Sequence, residues 1–99
     1  MEIIQSPSNK GFTVYSKSGC PNCKLVKKLI KEKNFFLDEI DCDDYLIENK
    51  ELFLQFIESY SGKKNNMFPM VFYDEKYIGG YTETIDFIDK LLLSFECNF

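Results

Sequence analysis

The stretch FTVYSKSGCPNCKLVKKLI, residues 12–30, constrains this chain more than any other. It opens as a β-branched and aromatic run of the kind that packs in a buried strand. It closes as an amphipathic helix, with Leu25, Val26, Leu29 and Ile30 at helical spacing. Lys24, Lys27, Lys28, Lys31 and Lys33 share much of the remaining surface, read as a solvated face. Pro21 suits the first helical turn, where its missing N–H is no loss, and Asn34 supplies a stop. Cys20 and Cys23 therefore stand where a strand hands over to a helix.

Three uses of such a pair compete. Structural zinc needs four ligands, usually two knuckles of paired Cys or His. Here there is one pair, Cys42 and Cys97 are isolated, and there is no histidine. A structural disulfide across so short a loop restricts the unfolded chain little, so it stabilises weakly. Redox chemistry has a more direct basis. Cys20 would cap a helix N-terminus, where free N–H groups and the dipole favour a thiolate, and Lys17 could add positive charge. Cys23 lies one turn into the helix, ready to attack a mixed disulfide formed on Cys20. Without histidine, the commonest general base is missing, so activation must come from these sources.

Ninety-nine residues, 44% hydrophobic and 28% charged, make one small globular domain. A formal charge of −4, with no basic tract beyond the lysine-rich segment, excludes nucleic acid as an expected partner. All twelve basic residues are lysine, which follows from A/T-rich codon use and carries no function. MEIIQSPSNK lacks the apolar run of a signal peptide. No stretch approaches the ~20 apolar residues of a membrane helix. Four cysteines in this context do not suggest a secreted disulfide framework. The expectation is a cytoplasmic monomer with no membrane partner.

Residues 1–10 are expected as a loose arm and residues 11–99 as the domain. FFLDEI, 35–40, predicts a second strand, followed by a turn at DCDD. Leu46, Phe53, Phe56, Ile57 and Tyr60 predict a helix from about 46 to 60, closed near Gly62. KKNN is a polar loop. MVFYD, 70–74, and KYI, 76–78, lie too close for anything but a hairpin. Residues 82–95 predict a last helix with Thr82 as cap, Glu83 in its first turn, and Ile85, Ile88, Leu92 and Phe95 on one face. Asp38, Glu39, Asp41, Asp43 and Asp44 are expected as surface turn, Cys42 as a partly buried structural thiol, and Cys97 as incidental. Two strands joined by a helix should run parallel, with a right-handed crossover. With the hairpin added, the result is an α/β, thioredoxin-like fold: a four-stranded mixed sheet flanked by three helices.

KSGCPNC resembles the K-x-x-C-P-Y-C segment of glutaredoxins. MFPMVFYD is similar to their T-V-P-x-V-F-I stretch, whose proline is cis and faces the active cysteine. YIGGYTET is similar to their I-G-G-C-D-D/S-D stretch, which binds glutathione. The likeness runs from about Phe12 to Leu93 with the three motifs in order. It implies a dithiol enzyme that reduces glutathionylated and disulfide-containing proteins, with glutathione as cosubstrate and no tightly bound cofactor or metal. By the same resemblance, Cys20 is the nucleophile and Cys23 the resolving thiol. Lys17 would pair with the glycine carboxylate of glutathione, and Phe68, ahead of a cis Pro69, would offer its backbone to the cysteinyl part. Gly80 belongs to the ligand loop, Tyr81 and Thr82 would receive the γ-glutamyl carboxylate on their N–H groups, and Glu83 would hold the ammonium.

Several positions depart from the family pattern. Asn22 replaces the aromatic between the cysteines, Phe68 replaces valine, and Met67 replaces threonine. KKNN lengthens the approach to Pro69, leaving Gln55 or Lys64 for the usual contact from the second helix. Two rival functions stay open. A thioredoxin-like electron donor would not need the Thr82–Glu83 end. An iron–sulfur carrier would pair two chains through Cys20 and two glutathiones, though cluster-binding relatives more often carry Gly or Ser where Pro21 stands.

Overall fold

Strand β1 (Phe12–Ser16) is buried along its whole length, as a run of Phe, Val and Tyr requires. The computed structural model describes residues 3–96, with the side chains of Phe95 and Glu96 outside the description, so the expected place of Phe95 and the role of Cys97 lie outside the described residues. β2 (Leu37–Asp41) pairs with β1 in parallel, Phe12 opposite Leu37 and Ser16 opposite Asp41. β3 (Met70–Tyr73) pairs with β1 antiparallel, Phe12 opposite Tyr73 and Tyr15 opposite Met70. β4 (Lys76–Gly79) completes the sheet in the order β2-β1-β3-β4. With α1 (Pro21–Glu32), α2 (Asp43–Ser61) and α3 (Tyr81–Glu96), this is the four-stranded mixed sheet and three helices expected of a thioredoxin-like fold.

Alternation along the strands divides the core in two. Tyr15, Ile40, Met70 and Phe72 pack with Phe53 and Ile57 of α2, while Phe12, Val14 and Val71 pack with Val26 and Ile30 of α1 and Ile88 of α3. Fully burying each such side chain is worth about 1.5–3 kcal/mol. The sheet therefore carries α2 on one face and α1 with α3 on the other.

The structure corrects several expectations. α2 begins at Asp43, not near Leu46, because Asp43 and Asp44 favour the positive end of a helix as readily as they favour a turn. It is broken at Asn49 (φ −159°, ψ 84°), whose Oδ1 accepts the Leu52 N–H at 3.0 Å and caps a second segment. Gly62 closes that segment with φ 75°, donating its N–H to Glu58. Tyr60 is exposed; Phe53 and Ile57 are the fully buried residues of the face, and Leu46 and Phe56 pack beside them half-buried. Leu25 is 47% exposed and leaves the apolar face of α1 to Val26, Leu29 and Ile30. On α3 the core face is Tyr81, Thr84, Phe87, Ile88, Leu91 and Leu92; Ile88 and Leu92 stand there as expected, and Ile85 does not join them. Lys27 and Lys31 reach Glu39 at 3.6 and 3.2 Å, so the lysine face and the acidic segment partly neutralise each other.

Residues 3–10 hold no regular element, and two hydrogen bonds tie them to β1. The Tyr15 hydroxyl donates to the Gln5 carbonyl at 2.7 Å, the Ser8 N–H donates to Thr13 Oγ1 at 2.9 Å, and Pro7 is buried.

Phe53 is fully buried between Tyr45 and Phe68, with ring centroids 5.5 and 6.1 Å away and planes nearly parallel to both. Phe53→Ala should cost about 3–5 kcal/mol. For a domain of this size that lowers Tm by at least about 12 °C. Urea and thermal unfolding check this, and a loss below about 1 kcal/mol would show that the cavity collapses without cost.

Candidate active site

The chain leaves β1 through an exposed turn, Lys17–Gly19, and enters α1 at Cys20. Gly19 has φ +70°, the left-handed region glycine adopts without strain. Cys20 is extended (φ −113°, ψ 98°) at the N-cap, and Pro21 follows in the first turn. Cys20 and Cys23 are joined as a disulfide, with Cα atoms 5.3 Å apart. Cys20 Sγ also accepts the Cys23 N–H at 3.2 Å, so a sulfur occupies the place of a capping oxygen. Exposure separates the two: Cys20 retains 8% and Cys23 1%. An incoming molecule reaches Cys20 first.

Beside the pair, the Phe68–Pro69 peptide is cis. Lys17 Nζ lies 5.4 Å from the centre of the Phe68 ring, within cation–π range. A groove of about 510 Å³ runs from Asn22 past Phe68 and Pro69 to Gly80, Tyr81, Thr82 and Glu83. Six of the predicted residues thus line one groove: Phe68, Pro69, Gly80, Tyr81, Thr82 and Glu83. Cys20, Cys23 and Lys17 are not in its lining, although Asn22 between the cysteines is. Of the two residues left open for the second-helix contact, Lys64 lines this groove, while Gln55 lines a neighbouring one of about 680 Å³ that Lys64 also borders.

The far end is a helix start. Gly80 accepts the Thr84 N–H at 3.0 Å and is the N-cap of α3, which corrects the assignment of that role to Thr82. Glu83 Oε1 accepts the Gly80 N–H at 2.9 Å, the returning half of a capping box. The N–H groups of Tyr81, Thr82 and Glu83 then belong to the first turn, without partners inside the helix. Gly79 is needed here, with φ +136° and a place for Cβ only 2.7 Å from the Glu83 Cβ.

Two features of the site escape the sequence reading. Asn65 Nδ2 donates to the Tyr77 hydroxyl at 2.7 Å and Asn65 Oδ1 accepts the Met67 N–H at 3.0 Å, so the KKNN loop is a pinned wall of the groove. The tendency of Asn to bond nearby backbone was the available signal. Asp43 accepts from both the N–H and the hydroxyl of Ser18. These two bonds, the hydroxyl's first, hold its carboxyl below the usual carboxylate range, and the Lys17 ammonium adds to the effect. Among the described residues no group of three or more His, Cys, Asp or Glu could hold a metal ion, and no helix is long and apolar enough to cross a membrane.

Cys42 is a free thiol, fully buried rather than partly so. Burial, reinforced by Asp41, pushes it from an ordinary 9.0 up to about 12. The folded state keeps a proton that the unfolded chain releases. This contribution to stability is therefore fully present below pH 9 and is lost as pH rises towards 12. In reduced native protein, iodoacetamide near pH 8 should leave Cys42 unmodified, as peptide mass analysis would show. Above pH 9 stability should fall by up to about 1.4 kcal/mol per pH unit more than in Cys42→Val. Equal slopes in urea titrations of the two proteins would contradict the assignment.

The glutaredoxin family model matches residues 12–78. Glutaredoxin 1 of Rickettsia conorii is 36% identical over 84 residues, covering 80% of this chain and 78% of its own. Among solved structures, glutaredoxin 1 of Francisella tularensis in complex with cacodylate aligns with a TM-score of 0.71 at 30% identity, over 82% of this chain and 94% of that one. A buckwheat glutaredoxin–glutathione complex aligns with a TM-score of 0.64 at 25% identity, over 80% and 68%. The chain belongs to the glutaredoxin family of thiol–disulfide oxidoreductases, and Cys20 and Cys23 are its redox-active CxxC pair.

Proposed function

We propose that this thiol–disulfide oxidoreductase depends on glutathione, acting as a monomer on glutathione mixed disulfides and on protein disulfides. One observation carries the proposal: a single groove joins the CxxC helix to the open N-terminus of α3. A related glutaredoxin crystallised with glutathione supports the same ligand class. In this reading the γ-glutamyl carboxylate meets the free N–H groups at Tyr81 and Thr82, as anions do at helix starts. Glu83 keeps one oxygen on Gly80 and offers the other to the γ-glutamyl ammonium. The cysteinyl backbone runs beside Phe68 and Pro69. Lys17 beside Phe68, and Lys63 and Lys64 in the groove wall, are cations available to the glycine carboxylate.

The chemistry follows from the exposures. The Cys20 thiolate attacks the glutathione sulfur of a mixed disulfide. The substrate sulfur leaves with the electron pair of the broken S–S bond and takes up a proton. A second glutathione thiolate then attacks the glutathionyl sulfur on Cys20, releasing glutathione disulfide and restoring Cys20. With a protein disulfide, Cys20 forms the mixed disulfide and Cys23 resolves it, leaving the Cys20–Cys23 bond. Glutaredoxin pairs at about −200 to −230 mV are reducible by the glutathione pool of the cytoplasm, which is the compartment this reaction calls for.

Cys20→Ser should abolish turnover with both substrate classes. Cys23→Ser should keep turnover of glutathione mixed disulfides and lose reduction of protein disulfides. Steady-state assays of both variants on both substrates decide it, and equal residual activities would overturn the roles. Glutathione is tested separately at Glu83. Glu83→Gln retains an oxygen for the Gly80 cap and removes only the charge. It should raise KM for glutathione mixed disulfides about three- to tenfold, the scale of about 1 kcal/mol, and leave a disulfide without a γ-glutamyl group unaffected. Unchanged constants for the glutathione substrate would favour a thioredoxin-like donor instead.

A further inference from the structure

The turn that delivers Cys20 has almost nothing beneath it. Lys17, Ser18 and Gly19 are all exposed, and a Cβ placed on Gly19 would meet no atom within 4 Å. Apart from the Lys17 ammonium over the Phe68 ring, little packing therefore holds the segment between the end of β1 and the reactive thiol. Hydrogen bonds from another element do. Asp43 Oδ1 accepts the Ser18 N–H at 2.9 Å and Asp43 Oδ2 accepts the Ser18 hydroxyl, a two-point grip on the middle of the turn.

Asp43 is itself firmly placed. It is the first residue of α2, and its N–H donates to Asp41 Oδ1 at 3.0 Å. The residue before it, Cys42, is fully buried and donates its N–H to the Ser16 carbonyl at 2.8 Å. The start of α2 is thus fastened to the end of β1 on one side and to the turn on the other. A rigid element reaches across to the loop that carries both Lys17 and Cys20. The bland alternative is that Asp43 serves only its own helix, as a negative charge at a positive end.

We propose that Asp43 is a positioning residue for thiol–disulfide exchange: through Ser18 it holds the Lys17–Gly19 turn so that Cys20 stays at the N-cap of α1. The claim concerns the exchange step and is tested without glutathione, so it stands or falls apart from the glutathione site.

The comparison is between Asp43→Asn and Asp43→Ala, both in a Cys23→Ser background that isolates Cys20. Both remove the same charge. Asn can still accept the Ser18 N–H and donate to its hydroxyl, whereas Ala can do neither. The readouts are the pH dependence of iodoacetamide alkylation of Cys20 and the single-turnover rate with hydroxyethyl disulfide. Asp43→Asn is expected to stay close to the parent. Asp43→Ala is expected to show an inflection displaced from that of Asp43→Asn towards the free-thiol value of about 8.5, and exchange slowed about tenfold. Ser18→Ala should lie between, and adding it to Asp43→Ala should cost nothing further. Identical inflections and rates in the Asn and Ala variants, with circular dichroism showing both folded, would overturn the proposal. If Asp43→Ala does not fold, Ser18→Ala alone decides, and parental behaviour in it refutes the clamp.

Discussion

Everything at the active end of this molecule follows from the register of β1 against its antiparallel neighbour. Tyr15 stands opposite Met70, so the residues that leave β1 lie beside those that enter β3. Lys17 therefore comes over Phe68, and the cis Phe68–Pro69 peptide arrives beside the turn that leads to Cys20. The next pairing completes the set. Val71 opposite Gly79 brings β4 back alongside the entry to β3, and a Cβ on Gly80 would sit 3.6 Å from the Pro69 carbonyl. Three segments separated by up to about sixty residues meet at one end of the sheet because two strand pairings leave them nowhere else. A one-residue slip would turn Tyr15 and Phe72 to the wrong layer, so the two half-cores enforce the register that builds the site.

Much of this was legible in the chain. The strand-to-helix passage across the CxxC pair, the hairpin and the paired glycines each have a local physical signature that tertiary structure had no reason to override. What was not legible involved choices between partners far apart in sequence. Nothing local tells whether Asp43 closes a turn or opens a helix; its bonds to Ser18 across 25 residues do. Thr82 is as good a cap as Gly80 by residue type. The returning carboxylate of Glu83 and the close approach of Gly79 start the helix one residue earlier. Leu25 fits the helical stripe by spacing but is about half exposed.

The absence of histidine makes the helix start at Cys20 carry more of the chemistry than it otherwise would. In the disulfide form Cys20 already accepts the Cys23 N–H. The same donor can stabilise negative charge on sulfur once the bond is reduced, which is the general basis of low thiol pKa at helix N-termini. Lys17 supplies a positive charge on a turn with little else to fix it, so the direction of that turn matters as much as the charge.

Glu83 raises the question of why a carboxylate should stand at a helix start proposed to bind one. Alone it would repel an anion, and the N–H groups it leaves free would be a weaker anion site than an uncharged first turn. A γ-glutamyl terminus, however, carries an ammonium on the same carbon as its carboxylate. A site with N–H donors for one group and a carboxylate for the other matches that pair and penalises a simple anion. Because Glu83 Oε1 is already bonded to the Gly80 N–H, the side chain is held in place before any ligand arrives, and less rotamer freedom is lost on binding. On the proposed reading, the capping bond and the ligand contact are two uses of one carboxylate, and the selectivity is for a zwitterion.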